Sequence, residues 1–331
     1  VSTGAALATP VMPVVVDAAL CVGCGLCVRS CPTKTLALEG GKAVVTDQAC
    51  LTCGHCQAVC PEGAVVVAGL DPFADDFATF ETSPDWLAPG KADPGQLIRL
   101  MRSRRSVRSY LQRPVPKEAL LDLVRAGISA PSGHNSQKWA FTLLPDRPAV
   151  TFLGAALARF FRKLNKMAAN PLIRAAMRLV GRPELGEYHR EHYASVQTAL
   201  ALWDSDGTDR LFHGAPAAIV VTSRPGASCP AEDALLASQN MLLAAHAMGL
   251  GTCLIGYAVA AMQHDKKIQE SLGIDRGETV YAVVALGYST ERYQRVAGRL
   301  RPPVRLFHAP QGWKGPGAAG HDLENEETRE P

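Results

Sequence analysis

The chain has 331 residues, of which 47% are apolar and 20% charged, and a net charge of +3. That length suits about two domains with a sizeable core, and the balance excludes wholesale disorder, collagen and a coiled coil. The small, dispersed charge gives no electrostatic reason to expect nucleic acid.

No apolar run reaches the ~18 residues of a membrane span. The first twenty residues are apolar, but they lack a basic start and carry Pro10 and Pro13. A cleaved leader would also remove the approach to the cysteine motif that starts at Cys21. A cytoplasmic protein is expected, with a membrane role disfavoured.

Eight of the ten cysteines lie between positions 21 and 60, as two copies of one pattern 29 positions apart. The first copy is Cys21-x-x-Cys24-x-x-Cys27-x-x-x-Cys31-Pro32. The second is Cys50-x-x-Cys53-x-x-Cys56-x-x-x-Cys60-Pro61. This is the bacterial ferredoxin run for two [4Fe–4S] clusters. Three cysteines on one tight loop cap three irons of a cube, and the fourth points to the other cube. One cluster should therefore take Cys21, Cys24, Cys27 and Cys60, and the other Cys50, Cys53, Cys56 and Cys31. A disulfide framework would need an oxidising compartment, which nothing indicates. Zinc also binds C-x-x-C pairs, but its four-cysteine sites do not usually add a third step and a C-P end. Residues 1–70 form the predicted ferredoxin-like domain, with small strands at 43–46 and 64–68.

Residues 71–96 hold six acids against Lys91 and read as a solvated linker. Phe73, Phe77, Phe80 and Trp86 support the alternative of a loop packed on the second domain. Beyond it, residues 97–313 alternate helix and strand signals. A helix is predicted over 116–127, stopped by Gly127, and strands over 139–144, 217–222 and 279–287. A mostly apolar helix is predicted over 231–248, with His246 in the core. The mixed order favours an α+β fold. Residues 314–331, with five acids and little apolar content, read as a disordered tail.

No dinucleotide or P-loop fingerprint occurs. Arg102-Ser103-Arg104-Arg105-Ser106-Val107-Arg108 instead interleaves arginines with hydroxyls, which suits a phosphate monoester. Taken alone, its default reading is a solvated basic stretch. A second segment, Ala130-Pro131-Ser132-Gly133-His134-Asn135-Ser136-Gln137-Lys138-Trp139, packs turn formers, amides and an indole between a helix and a strand. Gly249 to Gly256 and Arg299-Leu300-Arg301-Pro302 come after it in order. Together these stretches resemble the nitroreductase family of flavoproteins, over roughly residues 97–308.

The resemblance implies an α+β sandwich homodimer holding FMN between subunits. It matches Arg104, Arg105, Arg108, Arg299 and Arg301 to the phosphate and ribityl contacts, and Ser106 to a phosphate hydroxyl donor. Pro131, Ser132, Gly133 and Asn135 match the loop that reaches FMN, in part from the other subunit. Arg210 matches a further basic contact. Ile255 and Gly256 match a contact to the isoalloxazine ring, but many members have Glu where Ile255 stands. The Pro that usually follows the loop Gln is Lys138 here. Both departures weigh against NAD(P)H as donor. His134 is a candidate proton donor, against the plainer reading of a satisfied loop histidine. Cys253 reads as a small buried hydrophobe.

Residues 155–182 carry seven arginines and lysines and no acid, with phenylalanines, leucines and methionines between them. A lid insertion over 155–193, a packed helix pair and a membrane-surface helix are the alternatives. The functional expectation is an iron–sulfur flavoprotein. A ferredoxin-type donor passes electrons through two clusters to FMN and on to a small conjugated acceptor, nitroaromatic, quinone or similar. The alternatives are an NAD(P)H-dependent nitroreductase with relay clusters and a redox-sensing or electron-carrier protein with no substrate.

Overall fold

The computed structural model describes residues 13–70, 76–83, 85–309 and 313. The predicted tail at 314–331 and part of the predicted linker lie outside them. The chain divides into a unit up to Arg295 and a second from Val296.

The cysteine-rich part is built from short pieces. Strand β1 (Val14–Val16) pairs antiparallel with β4 (Val65–Val67), and β2 (Leu36–Glu39) with β3 (Lys42–Val45). Two brief helices, α1 (Leu26–Ser30) and α2 (His55–Ala58), lie within the two cysteine motifs. Each is entered through a left-handed glycine, Gly25 at φ 72° and Gly54 at φ 73°. That conformation costs a glycine nothing and turns the chain sharply enough to keep three cysteines on one loop. The core is small. Val14, Leu36, Ala43, Ala64, Val65 and Val67 pack with Cys21, Cys27 and Cys56.

The predicted linker is partly docked. Ala78 N, Thr79 N and Thr79 Oγ1 donate to the fully buried Asp122 carboxylate, which also accepts from Arg125 at 2.7 Å. Burial works against this carboxylate, but those bonds outweigh it and hold its pKa below the ordinary range. The packed-loop reading therefore holds at Ala78 and Thr79. Trp86, 84% exposed, takes no part in it.

The larger part is one four-stranded antiparallel sheet of order β5-β6-β8-β7, from β5 (Trp139–Leu144), β6 (Ala217–Ser223), β7 (Gly251–Leu254) and β8 (Thr279–Gly287). Every residue of β6 is buried, because both faces of the sheet are covered. Successive side chains of a strand point to opposite faces, and the two cores divide accordingly. Ala218, Val220, Val283 and Ala285 meet α5 (Arg147–Ala169) and α10 (Gly256–His264). Ala217, Ile219, Val221, Ala282, Val284 and Leu286 meet α4 (Lys117–Ile128) and α9 (Pro230–Ala247). Gly127 is not the predicted stop. It sits inside α4, where a Cβ would come 2.9 Å from Met241 Cγ, so its smallness lets α4 and α9 close together. His246 is half-buried rather than core.

The predicted insertion at 155–193 begins inside a helix. The buried face of α5 runs through Val150, Leu153, Leu157 and Phe161, so residues 155–169 are scaffold. After it come α6 (Pro171–Leu179), α7 (Glu184–Glu191) and α8 (Tyr193–Asp206). Helix α3 (Pro94–Ser103) opens this part, capped by Asp93 Oδ1 accepting from Gly95 N at 2.8 Å.

A Cβ on Gly287 would lie 2.5 Å from Pro216 Cδ and 3.1 Å from Tyr110 Cδ1, against rings that cannot swing aside. Gly287→Ala should cost ~1–3 kcal/mol of stability, as overpacking does. Gly186→Ala, with only Arg190 Nη1 nearby at 3.8 Å, should be neutral or stabilising by up to ~1 kcal/mol. Equal thermal midpoints for the two variants would contradict this packing.

Candidate functional site

None of the eight clustered cysteines forms a disulfide, nor does Cys229 or Cys253. Four accept backbone hydrogen bonds at sulfur: Cys21 from Ala43 N (3.4 Å), Cys31 from Thr35 N (3.3 Å), Cys50 from Thr52 N (3.2 Å) and Cys60 from Ala64 N (3.2 Å). N–H groups aimed at sulfur favour the thiolate that a metal cluster needs. The Ala43 and Gly23 amides lower the Cys21 thiol. Burial raises Cys31, but bonds from Thr33 and Thr35 outweigh it and bring the thiol to about 7. Burial raises Cys27 and Cys56.

One cavity in this part is lined by Cys31, Cys50, Cys53 and Cys56, under Val14, Leu36 and Val67. It joins the last cysteine of the first motif to the first three of the second. Among the described residues, no three His, Cys, Asp or Glu side chains close on a single ion. The all-sulfur donor set, its backbone N–H bonds and its apolar walls fit a [4Fe–4S] cube.

A second cavity, of about 1160 Å³, lies in the larger part. Its floor is Cys253, Leu254, Ile255 and Gly256, where β7 runs into α10. Arg108 and Arg210 bring charge to it. Phe160, Phe161, Leu164 and Met167 of α5, Met177 of α6, and Arg182 and Glu184 line it too, with Tyr188, His192 and Tyr257. The aromatic side is internally braced. Tyr257 packs edge-on to Phe161 and His192, and its hydroxyl lies 3.2 Å from His192 Nδ1. Tyr188 Oη donates to Asn165 Oδ1 at 2.6 Å.

The charged side hangs on one carboxylate. Asp209 accepts from Leu211 N (3.0 Å), Phe212 N (2.8 Å) and Arg147 Nη1 (2.8 Å), and its side chain is 3% exposed. This fixes the turn that presents Arg210, Leu211 and His213 to the cavity. His213 is left-handed at φ 57°. Burial pushes its imidazole below the ordinary range, Asp209 opposes, and Arg108 and Arg210 add to the fall. Sequence reading found Arg210 but missed His213 and Asp209, because the run around them carries no recognisable pattern.

Of the residues singled out in the sequence, Arg108, Arg210, Ile255 and Gly256 meet at this cavity. Ser106 bridges to Thr252, and Val107 N donates to Thr252 O at 2.9 Å, adding the arginine stretch to the sheet beside β7. The Arg104 charge acts on Cys253 and His246, and that of Arg105 on Tyr293. Cys253 is buried as expected but also lines the cavity. Arg299 and Arg301 are exposed and belong to the second unit.

Pro131, Ser132, Gly133 and Asn135 do not line this cavity in the same chain. Their loop is mounted on Asp233 of α9, whose carboxylate accepts from Gly133 N (2.9 Å) and Ser136 Oγ (3.3 Å). His134 is left-handed, with Nδ1 3.1 Å from Ser228 Oγ, which fits the satisfied loop histidine rather than a proton donor at the cavity. The Asn135 amide donates to Leu51 O at 3.1 Å and Thr52 O at 3.0 Å, in the second cysteine loop.

Unfolded His213 takes a proton that the folded form refuses, so the fold loses stability as pH drops below ~6.5. His246 is shifted the same way by burial and Arg104. His213→Asn keeps a residue tolerant of positive φ and should flatten the fall of the denaturation midpoint between about pH 7 and 5. An unchanged slope would contradict the buried, neutral state.

Comparison with known proteins bears on the whole of this part. A family model described as the nitroreductase family matches residues 101–288, and one described as a 4Fe-4S dicluster domain matches 13–61. A 4-nitrobenzoate reductase of Nocardioides is 26% identical over 208 residues, covering 59% of this chain and 81% of that protein. A protein of Archaeoglobus fulgidus, provisionally named for NADH dehydrogenase or NAD(P)H nitroreductase activity, is 25% identical over 193 residues, 58% of this chain and 85% of that one. A nitroreductase structure from Bacteroides fragilis with bound FMN aligns at TM-score 0.46 and 21% identity, over 64% of this chain and 98% of that one. The family match spans the sheet, the arginine stretch and the cavity floor, and so the chain belongs to the nitroreductase family, with a 4Fe-4S dicluster domain preceding the family domain.

Proposed function

We propose that the protein binds FMN in the 1160 Å³ cavity and two [4Fe–4S] clusters on the doubled cysteine motif, and that it reduces a small conjugated acceptor with electrons from a ferredoxin-type donor. The carrying observation is the meeting of Arg108 and Arg210 with the Ile255–Gly256 floor in one cavity. Two guanidinium groups suit the phosphate of a mononucleotide. The volume exceeds the ~300–1,000 Å³ of ordinary small-molecule sites, leaving room for an acceptor beside the flavin. Bound there, the flavin supplies the exchange between one-electron supply and two-electron reduction that the acceptor requires. The chain's own part is to anchor the phosphate, cover the ring and exclude water.

The reading includes a homodimer. The loop 131–137 is absent from its own chain's cavity, as expected if it completes a second copy's site. Helix α3 buries none of its residues, and Leu97 and Ile98 on it are exposed together with Leu235 and Leu236 of α9. Exposed apolar side chains of this kind are what a partner covers.

A pyridine nucleotide as direct donor is the second reading, favoured by the name of the Archaeoglobus relative. Ile255 weighs against it, being a buried apolar side chain at the cavity where many members have a carboxylate.

The residue range 155–193 supplies the acceptor-facing wall in this reading. Arg162 is engaged by Asp204 outside the cavity, so Arg182, which lines it, is the cation that meets an acceptor.

Mass analysis of released flavin should give FMN, and metal analysis two cubes' worth of iron and sulfide; FAD, zinc or half that iron overturns the assignment. Arg108→Ala should weaken FMN binding by ~1.5–3 kcal/mol, the scale of a charge-assisted hydrogen bond, read by flavin fluorescence. Arg182→Glu should leave FMN bound and raise KM several-fold for anionic acceptors but not for neutral ones, on the order of one lost ionic contact. Equal KM changes for both classes would remove Arg182 from acceptor choice.

A further inference from the structure

We propose that Tyr257 is the acid that delivers a proton to the acceptor, with His192 as the residue that positions and reloads it and Glu191 behind the histidine. The assignment rests on the proposed reading of the cavity as a flavin site with room for an acceptor.

The three side chains come from separate elements and meet in sequence. Glu191 closes α7, His192 joins α7 to α8, and Tyr257 is the second residue of α10. Glu191 Oε2 lies 3.8 Å from His192 Nε2, and His192 Nδ1 lies 3.2 Å from Tyr257 Oη. His192 and Tyr257 both line the cavity, and Tyr257 directly follows its Ile255–Gly256 floor. The tyrosine ring is exposed, yet it packs edge-on to Phe161 at 5.7 Å and to His192 at 5.8 Å between centroids. Those two contacts limit the swing of its hydroxyl.

The direction of the bonds decides which proton is free. An imidazole with a proton on each nitrogen donates twice, here toward Glu191 and to Tyr257 Oη. The tyrosine oxygen then accepts from the protein, and its own O–H is left for a bound acceptor. The other phenol, thiol and imidazole groups at the cavity are engaged differently. Tyr188 spends its hydroxyl on Asn165, and burial pushes its phenol up. Burial also raises Cys253, whose thiol faces Leu254 O at 3.6 Å. Burial lowers His213, and Arg108 and Arg210 add to the fall. His264 turns Nδ1 onto Ala260 O of its own helix at 2.8 Å.

The step balances for a quinone. The acceptor takes an electron pair and one hydrogen as hydride from the reduced flavin. Its oxygen bonds the proton that leaves Tyr257 Oη, which gives the neutral hydroquinone. The phenolate takes the Nδ1 proton of His192. Water restores that proton, since the His192 and Glu191 side chains are 46% and 65% exposed. A proton held ready where charge develops is general acid catalysis.

The test uses the full chain with its cofactors, as Tyr257→Phe, which keeps the ring and its packing, and as His192→Ala. Both should hold FMN and iron at wild-type content. Flavin reoxidation of the reduced protein is followed in stopped flow with benzoquinone, which must gain hydrogen, and with ferricyanide, which takes an electron alone. In Tyr257→Phe the ratio of quinone to ferricyanide rates should fall about a hundredfold, the lower end of what a positioned acid contributes. In His192→Ala the ratio should also fall, and added imidazole should restore it. A second readout needs no turnover. On the oxidised protein, 4-nitrophenolate stands in for the oxygen anion formed on the acceptor. It should bind Tyr257→Phe about tenfold more weakly than wild type, the scale of one hydrogen bond to a charged group. An unchanged rate ratio in Tyr257→Phe, or equal 4-nitrophenolate binding, would overturn the proposal. Loss of FMN from Tyr257→Phe would assign the hydroxyl to the flavin and overturn it as well. Failure of imidazole to restore His192→Ala would overturn the relay. Wild-type protein without flavin would instead refute the functional reading beneath it.

Discussion

Covering the sheet on both faces is the constraint on which the rest of the larger part depends. Strands β6 and β8 alternate side chains into two separate cores, so neither face can offer an open site. The proposed site lies at the margin, where β7 ends after four residues and α10 begins. There the chain turns away from the sheet, and its backbone becomes cavity floor. The arginine stretch joins that same margin by bridging Ser106 to Thr252. The sheet therefore sets where the charge lies, although no arginine belongs to a named strand.

The cavity mixes charged and apolar lining, and each kind is held in its own way. Arg108, Arg210 and His213 line it, the latter two on a turn organised by a single buried carboxylate, Asp209. Its aromatic and aliphatic lining is braced by ring contacts and by the Tyr188–Asn165 bond. Burial and the two arginines all lower the His213 imidazole, since a third charge beside them would be repelled.

Local signals made much of this legible. The doubled cysteine motif, the unbroken apolar run of β6 and the long apolar helix α9 each announce themselves within a few residues. What escaped depends on distance along the chain. Asp122 looks like any helical acid until Ala78 and Thr79 fold onto it. Asp209 looks like a turn former until Arg147 reaches it. The lid boundary failed for another reason. Basic side chains on the outer face of α5 mask an inner face that continues the core, and composition averages the two. Gly127 failed similarly, because a glycine near a helix end suits a stop or a close helix contact equally well.

The core of the cysteine-rich part has a consequence for how the molecule matures. Three of its buried members are the cysteines Cys21, Cys27 and Cys56, and its aliphatic members are few and small. A core of this size supplies little folding free energy of its own, and metal binding in such domains is folding free energy. Under the proposed cluster binding, iron supply would be a folding variable for residues 13–70. The bonds from Asn135 close between residues 84 and 83 positions apart, so they form after both parts are ordered. Loss of the proposed clusters would then loosen the cysteine-rich part while the sheet and its cavity stay folded.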